Sequence, residues 1–125
     1  MPAFATSQTV SFILTADMPR AVTFYRDVLG LPFVEDNGFA HVFSMNGGTL
    51  RITHIDGHEG GPHPVLGWVV ADVRADAAAL VAKGVKMEIY EGMGQDAQGI
   101  WDAPDGRTSL CFFKDPDGNV LSMAQ

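Results

Sequence analysis

Only one cysteine, Cys111, is present, so no disulfide can close within the chain. Set in an apolar strand-like run, it reads as a packing residue in a protein of a reducing compartment, the cytoplasm. No apolar stretch approaches the ~20 residues a membrane-crossing helix needs. The opening "MPAFATSQTV" lacks the basic, then long apolar, then small-residue order of an export signal. Neither membrane nor secretion is therefore expected. Positive charge is scarce: eight Lys and Arg stand against fifteen Asp and Glu, a net charge of −7. Because the basic residues are scattered, no face suits a phosphate backbone, and nucleic acid is not an expected partner. The acidic surplus reads as a solubility feature more than as a cation-binding surface. A CxxC pair, a phosphate-binding loop and a Ser-His-Asp order are also missing, so none of those chemistries is indicated.

What the chain does contain is an order of elements that occurs twice in its 125 residues, a length suited to one compact domain. Residues 9–15 are rich in β-formers and lead to Asp17, an N-cap residue, with Pro19 in the first helical turn. Met18, Ala21, Val22, Tyr25, Val28 and Leu29 follow helical spacing, and Gly30 stands where a left-handed stop is wanted. Residues 31–35, 39–45 and 49–55 then read as strands, separated by Asp36-Asn37-Gly38 and Asn46-Gly47-Gly48.

After the connector "DGHEGGPHP" the order returns. Residues 65–71 read as a strand, Asp72 or Asp76 caps a helix through Val73, Ala77, Leu80 and Val81, and Gly84 ends it. Residues 87–90 and a closing meander supply the remaining strands. In that meander the run 109–114 is bracketed by two turns of one form, Ala103-Pro104-Asp105-Gly106 and Asp115-Pro116-Asp117-Gly118. Asp72 lies 55 residues after Asp17, and Gly84 nearly superposes on Gly30, which points to a duplicated βαβββ module.

With "DMPRAVTFYRDVLGL" in its first half and "FFKDPDGNVLSMA" at its end, the chain resembles the vicinal oxygen chelate superfamily, which includes glyoxalase, bleomycin-resistance and extradiol dioxygenase proteins. The resemblance runs from about residue 9 to 124. It implies an α+β fold in a single domain, residues 1–125: module one at about 8–56, a connector at 57–63, and module two at about 64–125. Each module would curl its sheet into half of an incomplete β-barrel, helices outside, with the concave faces enclosing one cavity.

In metal-using members of that superfamily, ligands come from the first strand of each module and from the last strand of each. Carried over by motif, those places are Val10, seven residues before Asp17; Val65, seven before Asp72; Arg51; and Ser122, after "DPDGNVL". A shift of two residues would bring Thr53 to the place of Arg51. A divalent cation wants several carboxylate oxygens or imidazole nitrogens at about 2.0 to 2.6 Å. Two valines, a guanidinium and a hydroxyl supply neither, so no metal is expected at the usual place, and no cofactor is called for. Ser122 reads as a vacated ligand position, with a local hydrogen bond on its strand as its plainer role.

The histidines offer the one other metal reading. His54, His58 and His63 flank a Gly-rich stretch with Asp56 and Glu59, and His63 would share the face of Val65 if that strand extended far enough. Loop histidines beside glycines are usually solvated, and none here has the rigid spacing of a zinc motif. His41, between Phe39 and Phe43, reads as structural.

The expected cavity lining is Val10, Phe12, Leu14, Arg51, Thr53, Val65, Tyr90, Trp101 and Ser122, an apolar surface with a few polar handles. The plainer reading has the apolar side chains simply filling the barrel. Arg51 must be paired if it points into such a cavity, either internally with Glu88 or Glu91 or with an anionic group of a ligand. The expected function is small-molecule binding in a metal-free cavity, as a homodimer. The alternative is a superfamily enzyme, a glyoxalase-type isomerase, lyase or dioxygenase, using a relocated metal or acid–base residues such as Tyr90, His41 or Glu88.

Overall fold

In the computed structural model, which describes residues 2–125, the chain divides into a first unit ending at Glu59 and a second spanning Gly60–Gln125. Each is a four-stranded mixed sheet with a helix, an α+β arrangement.

In the first unit β1 (Thr9–Thr15) leads to the cap at Asp17, whose carboxylate accepts from the Arg20 amide at 3.1 Å. Helix α1 (Met18–Thr23) follows, with Pro19 at its start, where a missing N–H costs nothing. The single helix expected as far as Gly30 instead widens into a π turn, Phe24–Val28, in which the Leu29 amide donates to Phe24 at 3.0 Å. The two consecutive aromatics Phe24 and Tyr25 are both buried there, Tyr25 completely, and Tyr25 meets Phe43 of the sheet. Gly30 ends the turn at φ 75°.

The strands β2 (Phe33–Asp36), β3 (His41–Met45) and β4 (Gly48–His54) complete a sheet ordered β1-β4-β3-β2, with β1 and β4 parallel. Strand β3 starts two residues later than residues 39–45 predict, because the Asn37 side chain accepts from the amides of Phe39 and Ala40 and holds them in the turn. One sheet face packs on the helix through Ile13, Phe43, Leu50 and Ile52, all buried, and α1 lies against β4.

The second unit repeats the plan. Strand β5 (Pro64–Val69) precedes α2 (Val73–Ala82), and β6 (Trp101–Asp102), β7 (Ser109–Lys114) and β8 (Val120–Ala124) form the meander. The order is β5-β8-β7-β6, with β5 and β8 parallel. Asp72 caps α2 by accepting from Ala75 at 3.0 Å, and its backbone (φ −145°, ψ 93°) nearly duplicates that of Asp17 (φ −145°, ψ 95°).

Residues 87–90 do not form the strand their composition predicts. Met87 makes one bridge to Phe113, and the Glu88 amide donates to Phe112, after which the segment leaves the sheet. The Gln95 side chain takes over the vacated backbone groups, accepting from the Tyr90 amide at 2.7 Å and donating to the carbonyls of Glu88 and Gly99. Edge pairing on β7 then passes to Trp101 and Asp102.

The Asp115 turn is closed by its own carboxylate. One oxygen accepts from the amides of Asp117 and Asn119, the other from the Asn119 side chain at 2.7 Å, and all three residues are buried. Gly60 approaches Gly118 so closely that any Cβ would overlap its carbonyl, and the Gly60 amide donates to Asp117 at 2.9 Å.

Candidate functional site

Strand alternation leaves one face of each sheet free of its helix. In the first unit that face carries Val10, Phe12 and Leu14 from β1 and Arg51 and Thr53 from β4; Phe12 stands beside Arg51 and Leu14 beside Thr53 in the sheet register. All five residues expected here are therefore brought together. Phe12 is 66% exposed, Val10 42% and Leu14 38%. Val42, opposite Arg51 on β3, and Thr49, two residues before it, belong to the same face. Neither was singled out from the sequence, although the alternation of β3 and β4 points to both.

Arg51 is exposed, with neither an ion pair nor a hydrogen bond among the described residues. Glu88, one internal partner considered for it, lies 3.5 Å from Lys114.

In the second unit Val65, Gly67 and Val69 alternate outward along β5, Val65 being 54% and Val69 89% exposed. Ser122 pairs with Gly67 on one side and Phe112 on the other, and Trp101 pairs with Leu110, so these share the face of Gly67 and Val69, while Val65 stands exposed at a register shift between Pro64 and Leu66. Tyr90 stands edge-on to Phe112, ring centres 5.7 Å apart. The segment 87–90 thus places Tyr90 at the expected face without forming a strand. The side chain of Gln95, which fixes Tyr90, gave no signal of that role in the sequence. No hydrogen bond to Ser122 is present among the described side chains; its hydroxyl fills the space above Gly67 that a Cβ would occupy.

His41 lies on the helix side with Phe33, ring centres 5.8 Å apart, and its Nε2 is 3.7 Å from Asp36. His54 reaches Asp56 at 3.2 Å, and His63 precedes β5, which begins at Pro64. Among the described residues no three of His, Cys, Asp and Glu gather closely enough to hold a metal ion.

Among the perturbed groups that lie off these faces are Cys111 and Asp102. Burial pushes the Cys111 thiol up to about 11 from an ordinary 9.0. The Ser109 hydroxyl and then the Arg74 guanidinium, 2.8 Å away, hold Asp102 below the usual carboxylate range. The latter network ties α2 to β6 and is structural.

A family model described as Glyoxalase/Bleomycin resistance protein/Dioxygenase superfamily matches residues 7–123. No curated protein matches the chain. Among solved structures, a protein from Bacillus anthracis assigned to the glyoxalase family superposes with a TM-score of 0.74 at 11% identity, covering 99% of this chain and 98% of that one. Lactoylglutathione lyase from Agrobacterium tumefaciens gives 0.71 at 19% identity, covering 99% and 94%. A variant of the fosfomycin resistance protein FosX from Listeria monocytogenes, complexed with Mn(II) and a dihydroxypropylphosphonic acid, gives 0.70 at 14%, covering 98% and 90%. At these identities the likeness is one of fold.

Proposed function

Because the chain belongs to the glyoxalase/bleomycin resistance protein/dioxygenase superfamily, we propose that it uses this scaffold as a small-molecule-binding protein, holding an organic ligand at its open sheet faces without a metal. The observation that carries this reading is the chemistry of four positions. Val10 and Val65 have no donor atom, Arg51 presents only N–H groups and a fixed positive charge, and Ser122 offers one neutral hydroxyl. These residues do not fit a divalent cation, which needs several carboxylate or imidazole ligands at once.

The faces themselves suit an organic body. Covering a side chain such as Phe12 or Leu14 is worth about 1.5 to 3 kcal/mol when burial is complete. Arg51, Thr53, Ser122 and Tyr90 add the few polar contacts that orient a ligand. The same reading has the protein act in the cytoplasm, consistent with a single buried thiol, and as a homodimer, which light scattering tests directly.

Thermal melting against a panel of small organic compounds, in chelator and again with Mn(II) or Ni(II), tests the proposal, since a ligand that prefers the folded state raises Tm. The expected result is a set of compounds that stabilise equally under both conditions. Stabilisation that appears only with metal would defeat it.

A further inference from the structure

Resting on that reading of the open faces, we infer that the ligand is an organic anion, an apolar body carrying a carboxylate or similar oxyanion, and that the Arg51 guanidinium is its anchor. Strand β4 lies inside the first sheet, between β1 and β3, so Arg51 stands on the face and away from its edges. Its neighbours across the sheet are Phe12 and Val42, and along its own strand Thr49 and Thr53 face the same way. A fixed cation is thus set among apolar side chains, with two hydroxyls beside it.

What sets this cation apart is its place inside a sheet, since most cations of the chain either hold an acid or, like Arg107, stand on a loop. Arg26 is held by Asp27, Arg74 by Asp102, and Lys114 by Glu88. In the first unit Asp36 and Asp56 are turned to His41 and His54, and Glu35, on the Arg51 face beyond Val42, makes no ion pair with it among the described residues. Arg51 has no such counter-charge among the described residues.

Ligand charge then becomes the basis of selection. A guanidinium matches a carboxylate with two parallel N–H bonds. Once an apolar body covers Phe12, Val10 and Leu14, water is displaced and the pair strengthens as the local dielectric falls. A neutral ligand covering the same face would leave the guanidinium desolvated and unpaired, which is costly. The face therefore accepts an anion and penalises its neutral counterpart.

The test uses two fluorescent probes with the same aromatic body, anilinonaphthalene sulfonate and the uncharged phenylnaphthylamine, titrated into the full-length protein, into Arg51→Met and into Arg107→Met. Arg107 is an exposed cation just after the 103–106 turn and controls for net charge. The sulfonate is expected to bind the unaltered protein and Arg107→Met alike. Its Kd should rise at least about tenfold in Arg51→Met, the worth of one charge-assisted hydrogen bond. Phenylnaphthylamine should bind Arg51→Met no more weakly than the unaltered protein, and an unchanged Tm shows that the variant is folded. Equal loss of both probes, or no loss of either, overturns the anion anchor while leaving the binding-protein reading in place. Failure of both probes to bind the unaltered protein overturns the two together. A changed oligomeric state in Arg51→Met with undiminished sulfonate binding would make Arg51 a subunit contact and overturn the proposal.

Discussion

The Ser122 hydroxyl lies over Gly67, in the space where a side chain at residue 67 would begin. Strands β5 and β8 run parallel at this point, and the missing Cβ lets the hydroxyl rest on the sheet face instead of being forced out of it. Gly67→Ala should therefore drive the Ser122 side chain to another rotamer and cost about 1 to 3 kcal/mol, the usual range for overpacking. Gly67→Ala combined with Ser122→Ala should recover much of that loss. Urea unfolding of the two single variants and the double variant measures the coupling. Additive losses would show that the two residues do not depend on each other.

Two turns of the same form carry very different burdens. Asp115 is buried and its carboxylate satisfies two amides and the Asn119 side chain, whereas Asp105 is exposed and serves the amides of Arg107 and Thr108 beside water. Asp115→Ala leaves several buried donors unmatched, at about 1 to 3 kcal/mol each. It should cost more than about 2 kcal/mol, and Asp105→Ala clearly less, in the same denaturation measurement.

The Cys111 thiol should be inert in the folded protein. Its side chain is fully buried and its ionisation is pushed up to about 11, mainly by burial. A thiol reagent at neutral pH should label it slowly, with labelling of the single thiol released by denaturant. The sign of the pH effect follows from the raised value. Between about 9 and 11 an unfolded chain has lost this proton and the folded one still holds it, so stability should decline as pH rises through that window. Below pH 9 this group adds no slope. Rapid native labelling at neutral pH would contradict the assignment.

Much of the fold was legible because its signals are local. Asp17, Pro19 and Gly30, and again Asp72 and Gly84, announce helix ends by their own chemistry, and the matching backbone of the two caps bears out the repeat read from their spacing. Alternation put Val10, Phe12 and Leu14 on one strand face and Thr53 with Arg51 on another, while the family resemblance brought the two strands together, and the register sets all five on one face. What escaped the sequence depends on long-range partners. The π turn reflects the simultaneous burial of Phe24 and Tyr25 against the sheet, a tertiary demand that helical spacing does not encode. The β-forming segment 87–90 is diverted by the amide of Gln95, several residues further on. Phe112 became a candidate contact only once its pairing with Ser122 was known.

The proposal that Val10, Arg51, Val65 and Ser122 hold no Lewis acid is tested most directly by the metal content of the purified protein. Elemental analysis, before and after dialysis against Mn(II), Ni(II), Zn(II) and Fe(II), should find far less than one ion per chain. One tightly held ion per chain, resistant to dialysis against buffer, would contradict the account and return the protein to the metal-using members of its superfamily.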